Sequence, residues 1–281
     1  MAFSKIKSYF ILTRPLNVLL GILSIFLGAF ITGTIAPLQK VICACVSGGL
    51  ILAGGNVIND YYDVDIDRVN KPFRPLPANQ LQITQALTFA RILFALGVFL
   101  SIFIQIFSIA MAVMTAVGLI FYSATLKRTI LLGNIAVSLF SALAFVYGGL
   151  AVHRWQWTLI PAGFAFLFHL GREIIKDVED QAADASHGAQ TFAVRFGEKS
   201  AFALATLVLL VLISATFLPY VFEVYGKRYL WTVLFGVDLV LIVVLVFMWV
   251  RPEPPSLRRI SAVLKADMLV GLFAIFLGRP I

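Results

Sequence analysis

Long uncharged runs separated by short charged stretches set the rhythm of this chain. Residues 15–39, 41–59, 129–152, 155–171 and 201–222 contain no Asp, Glu, Lys or Arg. Each approaches or exceeds the roughly 20 apolar residues that a helix needs to cross a bilayer core. The run at 92–126 is long enough for two spans if a tight turn near residue 107 divides it. Residues 229–250, interrupted by Asp238, and 260–278, carrying Lys265 and Asp267, complete the set. Strand-like alternation is missing, so helices are expected rather than a barrel. The pattern predicts an all-α polytopic membrane protein of about nine transmembrane helices, a single integral-membrane domain over residues 1–281. The stretch MAFSKIKSYFILTRPLNVLLG begins basic and runs on apolar with no small-residue cleavage site. It reads as an amphipathic lead-in to a retained first span.

Composition agrees, with 60% hydrophobic and 13% charged residues, where a soluble domain carries about a quarter charged. The net charge of +8 invites a nucleic-acid partner, but its distribution argues against one. With nine spans, 17 of the 22 Lys and Arg residues fall on the N-terminus and the connections after spans two, four, six and eight. Arg91, Arg258, Arg259 and Lys265 are counted in that group, whereas Lys40, Arg154, Lys227, Arg228 and Arg279 fall on the other face. Such a bias sets topology by the positive-inside rule. It places the chain in the cell membrane with its N-terminus cytoplasmic and its C-terminus outside. Cys43 and Cys45 lie mid-membrane without a partner cluster and read as packing residues. His153, His169 and His187 show no metal-ligand spacing.

The acids are less dispersed than the bases. Nine of the fourteen Asp and Glu residues lie in NDYYDVDID (59–67) and REIIKDVEDQAAD (172–184). Both contain D-x-x-D-x-x-x-D: Asp60, Asp63 and Asp67, then Asp177, Asp180 and Asp184. On a helix, positions i, i+3 and i+7 fall within an arc of roughly 60°, so each triplet can line one face. Asp65 falls off that face and reads as a solvated charge. Both motifs follow spans that end on the same side, and their matched spacing hints at an internal duplication. Carboxylate clusters that face one another need cations between them. Mg²⁺ takes one or two carboxylates and completes its shell with substrate phosphates. Basic residues stand close by: Arg68, Lys71 and Arg74, then Lys127 and Arg128, then Arg172 and Lys176. Acids for metal and bases for phosphate oxygens describe a site that ionises a diphosphate leaving group.

At these residues the chain resembles the UbiA-family intramembrane prenyltransferases. Asn59-Asp60-x-x-Asp63-x-x-x-Asp67 is similar to the family's first aspartate motif, and Asp180-x-x-x-Asp184 to its second. The likeness covers nearly the whole chain, through Arg14-Pro15 and Asn17, the 122–128 connection and the 188–197 segment. It implies a nine-helix UbiA-type bundle whose central cavity opens to lipid beneath the two motifs. Two Mg²⁺ ions would hold an isoprenyl diphosphate there. By position, the resemblance implies Asn59, Asp63, Asp180 and Asp184 as metal ligands, with Asp60 and Asp67 supporting them. The pairs Arg172-Glu173 and Lys176-Asp177 look like the family's ether-lipid branch more than its quinone branch. That branch transfers a geranylgeranyl group to the hydroxyl of geranylgeranylglyceryl phosphate. One departure is Ala183, where the family pattern has glycine.

Expected roles follow. Mg²⁺ and the bases, Lys127, Lys176, Arg68, Arg74 and Arg128 among them, would draw electrons into the diphosphate, while an apolar chamber keeps water from the allylic cation. Arg172 and Lys176, or Arg14 with Asn17, would grip the acceptor phosphate. Tyr122 would set its ring near the cation. The partners expected are an isoprenyl diphosphate donor, a lipid-like phosphate acceptor and membrane lipid, with no nucleic acid and no obligatory protein partner. Chlorophyllide and 4-hydroxybenzoate are alternative acceptors. A cation exchanger is the alternative outside the family, although exchangers place their ligands near the midplane. Asp238, inside a span, is a functional candidate by default.

Overall fold

The structure, a computed structural model, describes residues 2–186 and 188–278; His187 and Arg279 lie outside the described residues. Among them all regular structure is helical. Helices α1 (Ala2–Leu12) and α2 (Pro15–Phe30) meet at a 48° bend. They are followed by α3 (Leu38–Tyr62), α4 (Val64–Asn70), α5 (Ile83–Ser101), α6 (Ile106–Ala124), α7 (Leu132–Ala151) and α8 (Leu159–Glu179). Two short helices, α9 (Gln181–Ser186) and α10 (Phe192–Phe196), precede α11 (Glu198–Thr216) and α12 (Leu218–Val221). Next, α13 (Lys227–Val233) runs into α14 (Leu239–Val250) through a π-helical turn, and α15 (Pro254–Leu277) closes the fold. Among the described residues, eight helical segments are long and apolar enough to span a bilayer, and the bent α1–α2 pair makes a ninth.

Three boundaries differ from the sequence expectation. The run at 92–126 divides at residues 102–105 rather than near 107. Arg91 belongs to no connection: α5 starts at Ile83 beneath a Gln82–Gln85 capping box, which puts Arg91 exposed in mid-helix. A charge ends an apolar run but not a helix, because a long side chain can snorkel along the surface. Arg258, Arg259 and Lys265 likewise lie within α15, which Pro254 starts with a preset φ.

Close backbone approach ties the first half of the bundle to the second. A Cβ on Gly28 would lie 2.1 Å from the carbonyl oxygen of Phe145, and one on Gly148 only 1.8 Å from that of Ile25. Small residues at such crossings let membrane helices pack backbone to backbone. One apolar core gathers Leu12, Ile25, Val57 and Ala90; another gathers Ile174, Phe202, Leu209 and Met248. Phe107, Met114 and Val117 of α6 and Leu207, Leu210 and Val211 of α11 stay exposed. A face so apolar is suited to lipid, not water.

The two motif-bearing helices end alike. Asp63 closes α3 with φ −94° and ψ 1°, and Asp180 closes α8 with φ −93° and ψ 0°. Each triplet therefore straddles a bend between a long helix and a short one, which corrects the expectation of one uninterrupted helical face. Helical bonding still crosses the bend. The Asp63 amide bonds to the Asn59 carbonyl at 3.0 Å, and the Asp180 amide to that of Lys176 at 2.9 Å. Register is kept, so the acids of each triplet stay neighbours.

Candidate active site

The ends of α3 and α8 and the starts of α2 and α15 share one end of the bundle, the motif face. Asp60 is buried between two guanidinium groups, that of Arg14 and that of Arg74 at 3.2 Å. Arg74 also reaches Asp67 at 2.5 Å. Arg14 occupies the α1–α2 bend with a left-handed backbone, φ 50°, a conformation uncommon outside glycine. Such strain persists where the surroundings over-determine it. Here the Asp60 ion pair and a 2.8 Å bond from Asn56 Nδ2 to the Thr13 carbonyl hold the bend.

Lys127, in the turn between α6 and α7, bonds Asp63 Oδ1 and stands 3.5 Å from Asn59 Oδ1. An ammonium thus bridges two oxygen donors that the resemblance assigns to a metal ion, so the donor chemistry fits a hard cation. Among the described residues no three His, Cys, Asp or Glu side chains form a metal-binding group. Mg²⁺ suits an incomplete set of this kind, because phosphate oxygens and water fill the remainder.

The second motif is held differently. Asp177 accepts from Asn134 Nδ2, in the first turn of α7, at 2.8 Å. Glu173 takes Arg172 Nη1 at 2.6 Å on one oxygen and has Lys176 at 3.9 Å from the other. Asp180 faces Lys71 and Lys176, and Asp184 follows in α9. Outside the spans, burial holds the Lys71 and Lys127 ammonium groups below the ordinary lysine range. Burial also lifts the Asp67 carboxyl above the usual carboxylate range, against the pull of Arg74.

Beneath the motif face lies a cavity of about 570 Å³. Of the residues expected at the site, Arg14, Asn17, Asn59, Arg74, Tyr122, Arg172, Glu173 and Lys176 line it. Leu20, Leu52, Phe140, Phe164 and Ile275 form its apolar wall. Asp60, Asp63, Asp67, Lys127 and Asp177 stand outside that lining, held by the contacts above, and Asp180 and Asp184 stand outside it at the α8–α9 bend. Arg68 does not join the cavity: it is exposed and pairs with exposed Asp65 at 2.9 Å. Arg128 is exposed too, and its carbonyl receives the Gln190 amide at 2.9 Å.

The UbiA prenyltransferase family matches residues 21–265. The chain belongs to this family. It is 37% identical to the digeranylgeranylglyceryl phosphate synthase of Sulfurisphaera tokodaii, over 97% of this chain and 98% of the relative. It is 33% identical to that of Korarchaeum cryptofilum, over 97% of each. A solved structure of digeranylgeranylglyceryl phosphate synthase superposes with a TM-score of 0.80 at 30% identity, covering 98% of both chains. A UbiA homologue from Archaeoglobus fulgidus bound to DMAPP and Mg²⁺ gives 0.72 at 20% identity, over 95% of this chain and 99% of that one, a likeness of fold.

In this UbiA-family prenyltransferase the cavity also recruits residues that sequence reasoning did not assign to the site. Lys265, Asn56, His169 and Asp267 all line it, beside Lys71, which the sequence had put among the bases next to the first motif. The available signal was the interruption of the last span by Lys265 and Asp267, since ionisable groups inside a membrane usually serve function. Asp238 accepts from Thr216 Oγ1 at 3.1 Å, while its other oxygen and both oxygens of Asp267 are buried without a partner.

Proposed function

We propose that this enzyme transfers a geranylgeranyl group from geranylgeranyl diphosphate to the hydroxyl of geranylgeranylglyceryl phosphate, forming an ether with the help of Mg²⁺. The observation that carries this reading is the charge of the cavity wall. Six cations (Arg14, Lys71, Arg74, Arg172, Lys176 and Lys265) line it against two acids, Glu173 and Asp267, above an apolar chamber. Even with Arg14 and Arg74 tied to Asp60 and Asp67 from behind, four cations face two acids. A surplus of that size suits two phosphorylated lipids better than one diphosphate and a neutral aromatic ring. The relatives named above support the same acceptor, and UbiA homologues bound to DMAPP or GPP with Mg²⁺ support a prenyl diphosphate donor.

Bound Mg²⁺ would supply Lewis acidity to the departing diphosphate, with Asn59, Asp63, Asp180 and Asp184 as its proposed ligands. Arg14 and Arg74 fix Asp60 and Asp67, so the motif keeps its shape while the diphosphate enters and leaves. Lys127 and Lys71 meet the negative charge that builds as the C1–O bond breaks. The chamber excludes water from the allylic cation, and Tyr122, on the same wall, offers it a ring face. The acceptor hydroxyl oxygen then bonds to C1 as its proton passes to the departing diphosphate. The positive-inside bias supports a cytoplasmic motif face.

The test is a set of transfer assays with purified protein, geranylgeranyl diphosphate and Mg²⁺, each with one acceptor. An ether product with geranylgeranylglyceryl phosphate, abolished by EDTA, is expected. Product only with 4-hydroxybenzoate or a chlorophyllide would overturn the acceptor and leave prenyl transfer standing. Cation flux in liposomes without prenyl transfer would favour an exchanger instead.

A further inference from the structure

Lys265 sits inside the last transmembrane helix, and its position there has a cost. Its Nζ donates to Asn17 Oδ1 at 2.7 Å, a neutral partner 248 residues away. The charged groups that face it, Arg172 and Arg14, are both positive. Asp267, two residues on, does not neutralise it, since both carboxylate oxygens are buried with no hydrogen-bond partner. Arg172 gives one nitrogen to Glu173, and its Nε is buried and unpartnered. Lys265, Asn17 and Arg172 all line the cavity. Glu173 offsets Arg172 but not Lys265; an excess of cations in a membrane interior is unfavourable, and an anionic ligand would relieve that.

Three other bases near the motifs already have acidic partners. Arg14 holds Asp60, Arg74 holds Asp60 and Asp67, and Lys127 holds Asp63. Depth separates the two groups as well. Helix α2 runs away from the motif face and α8 runs toward it. Asn17 and Arg172 therefore lie about one helical turn, roughly 5 Å, deeper than Arg14 and Lys176. The anion received here sits below the layer that takes the diphosphate.

We infer that Lys265, anchored by Asn17 and assisted by Arg172, binds the phosphate monoester of the acceptor. The inference rests on the acceptor reading proposed above. A glycerol with a chain on one end carbon and phosphate on the other has its free hydroxyl on the middle carbon, next to the phosphorylated one. Holding the phosphate just below the diphosphate layer brings that hydroxyl beside C1 of the donor. An ammonium has three donors; Asn17 uses one, leaving two for a tetrahedral phosphate.

The test compares binding of geranylgeranylglyceryl phosphate with its dephosphorylated form, to full-length protein in nanodiscs without donor. Wild type, Lys265→Met and Lys265→Arg are measured, with KM for donor and acceptor taken separately. Wild type should favour the phosphorylated lipid, and Lys265→Met should lose about tenfold or more of that preference. Its acceptor KM should rise while its donor KM holds, and Lys265→Arg should recover part of the loss. Unchanged preference in Lys265→Met overturns the inference, and so does an equal rise in donor KM, which would make Lys265 a diphosphate ligand. Should Lys265→Met fail to fold, Asn17→Ala frees the ammonium from its anchor, and unchanged preference there is equally decisive against the inference. Failure of the wild type to use the phosphorylated acceptor would overturn the functional reading itself, and that result precedes any variant.

Discussion

The two aspartate motifs share spacing, bend and backbone angles, yet their first carboxylates are held in opposite ways. Asp60 is locked by two guanidinium groups, while Asp177 is met by the neutral amide of Asn134. In register, Asn56 and Asn59 of the first motif correspond to Glu173 and Lys176 of the second. At these matched positions α3 thus presents amides to the cavity and α8 presents charge. The bend is common to both, and the partners divide the labour. The first half is a brace with its acids tied to bases, and the second is an ionised wall that meets ligand.

The sharpest challenge to that equivalence is the pair of bend residues. Asp63→Ala and Asp180→Ala should each lower Mg²⁺-dependent turnover by about 10²–10³-fold, read by transfer of a labelled prenyl group. Near-normal turnover in Asp180→Ala alone would break the symmetry of the two halves. Next in size is Asp60→Asn, which leaves Arg14 and Arg74 without their shared carboxylate. Breaking a buried pair in this way costs about 3 kcal/mol, seen as a lower unfolding temperature in detergent. Asp177→Asn exchanges one amide-bonded group for another and should cost only about 1 kcal/mol. The reverse order would mean that the brace lies in the second half. Between these two falls Gly148→Ala, which forces α7 off α2 where the halves touch. Overpacking of that kind costs about 2 kcal/mol, and unaltered thermal stability would show that the contact yields.

Much of this contrast was legible beforehand, and the missing parts share a cause. Nine spans follow from long apolar runs, two of them interrupted by charge, and both motifs from spacing, because these are local properties of the chain. The bend at Asp63 was hidden, since i, i+3 and i+7 suit a continuous helix equally well. Arg68 looked like a phosphate ligand by proximity, but α4 turns it outward to Asp65. Lys265 read as a topology charge, because its meaning depends on Asn17 at the far end of the sequence. Local patterns reveal elements; partners distant in sequence decide what a charged residue does.

The smallest expected effect is at Ala183, where the family pattern has glycine. The residue is inside α9, outside the set of described residues with positive φ, and its carbonyl accepts from Ser186 Oγ at 2.7 Å. Its counterpart in the first half is Ile66, within α4. Neither position requires glycine's conformational freedom. Ala183→Gly should therefore weaken a six-residue helix by about 0.5–1 kcal/mol. So short a helix opens locally, and the change should appear as faster amide exchange over residues 181–186 with little shift in unfolding temperature. Because Asp184 lies in the same turn, the affinity for Mg²⁺ with diphosphate should fall slightly. A rise in that affinity would show instead that the second half needs a freer backbone than α9 allows, and that the two motifs close on ligand by different paths.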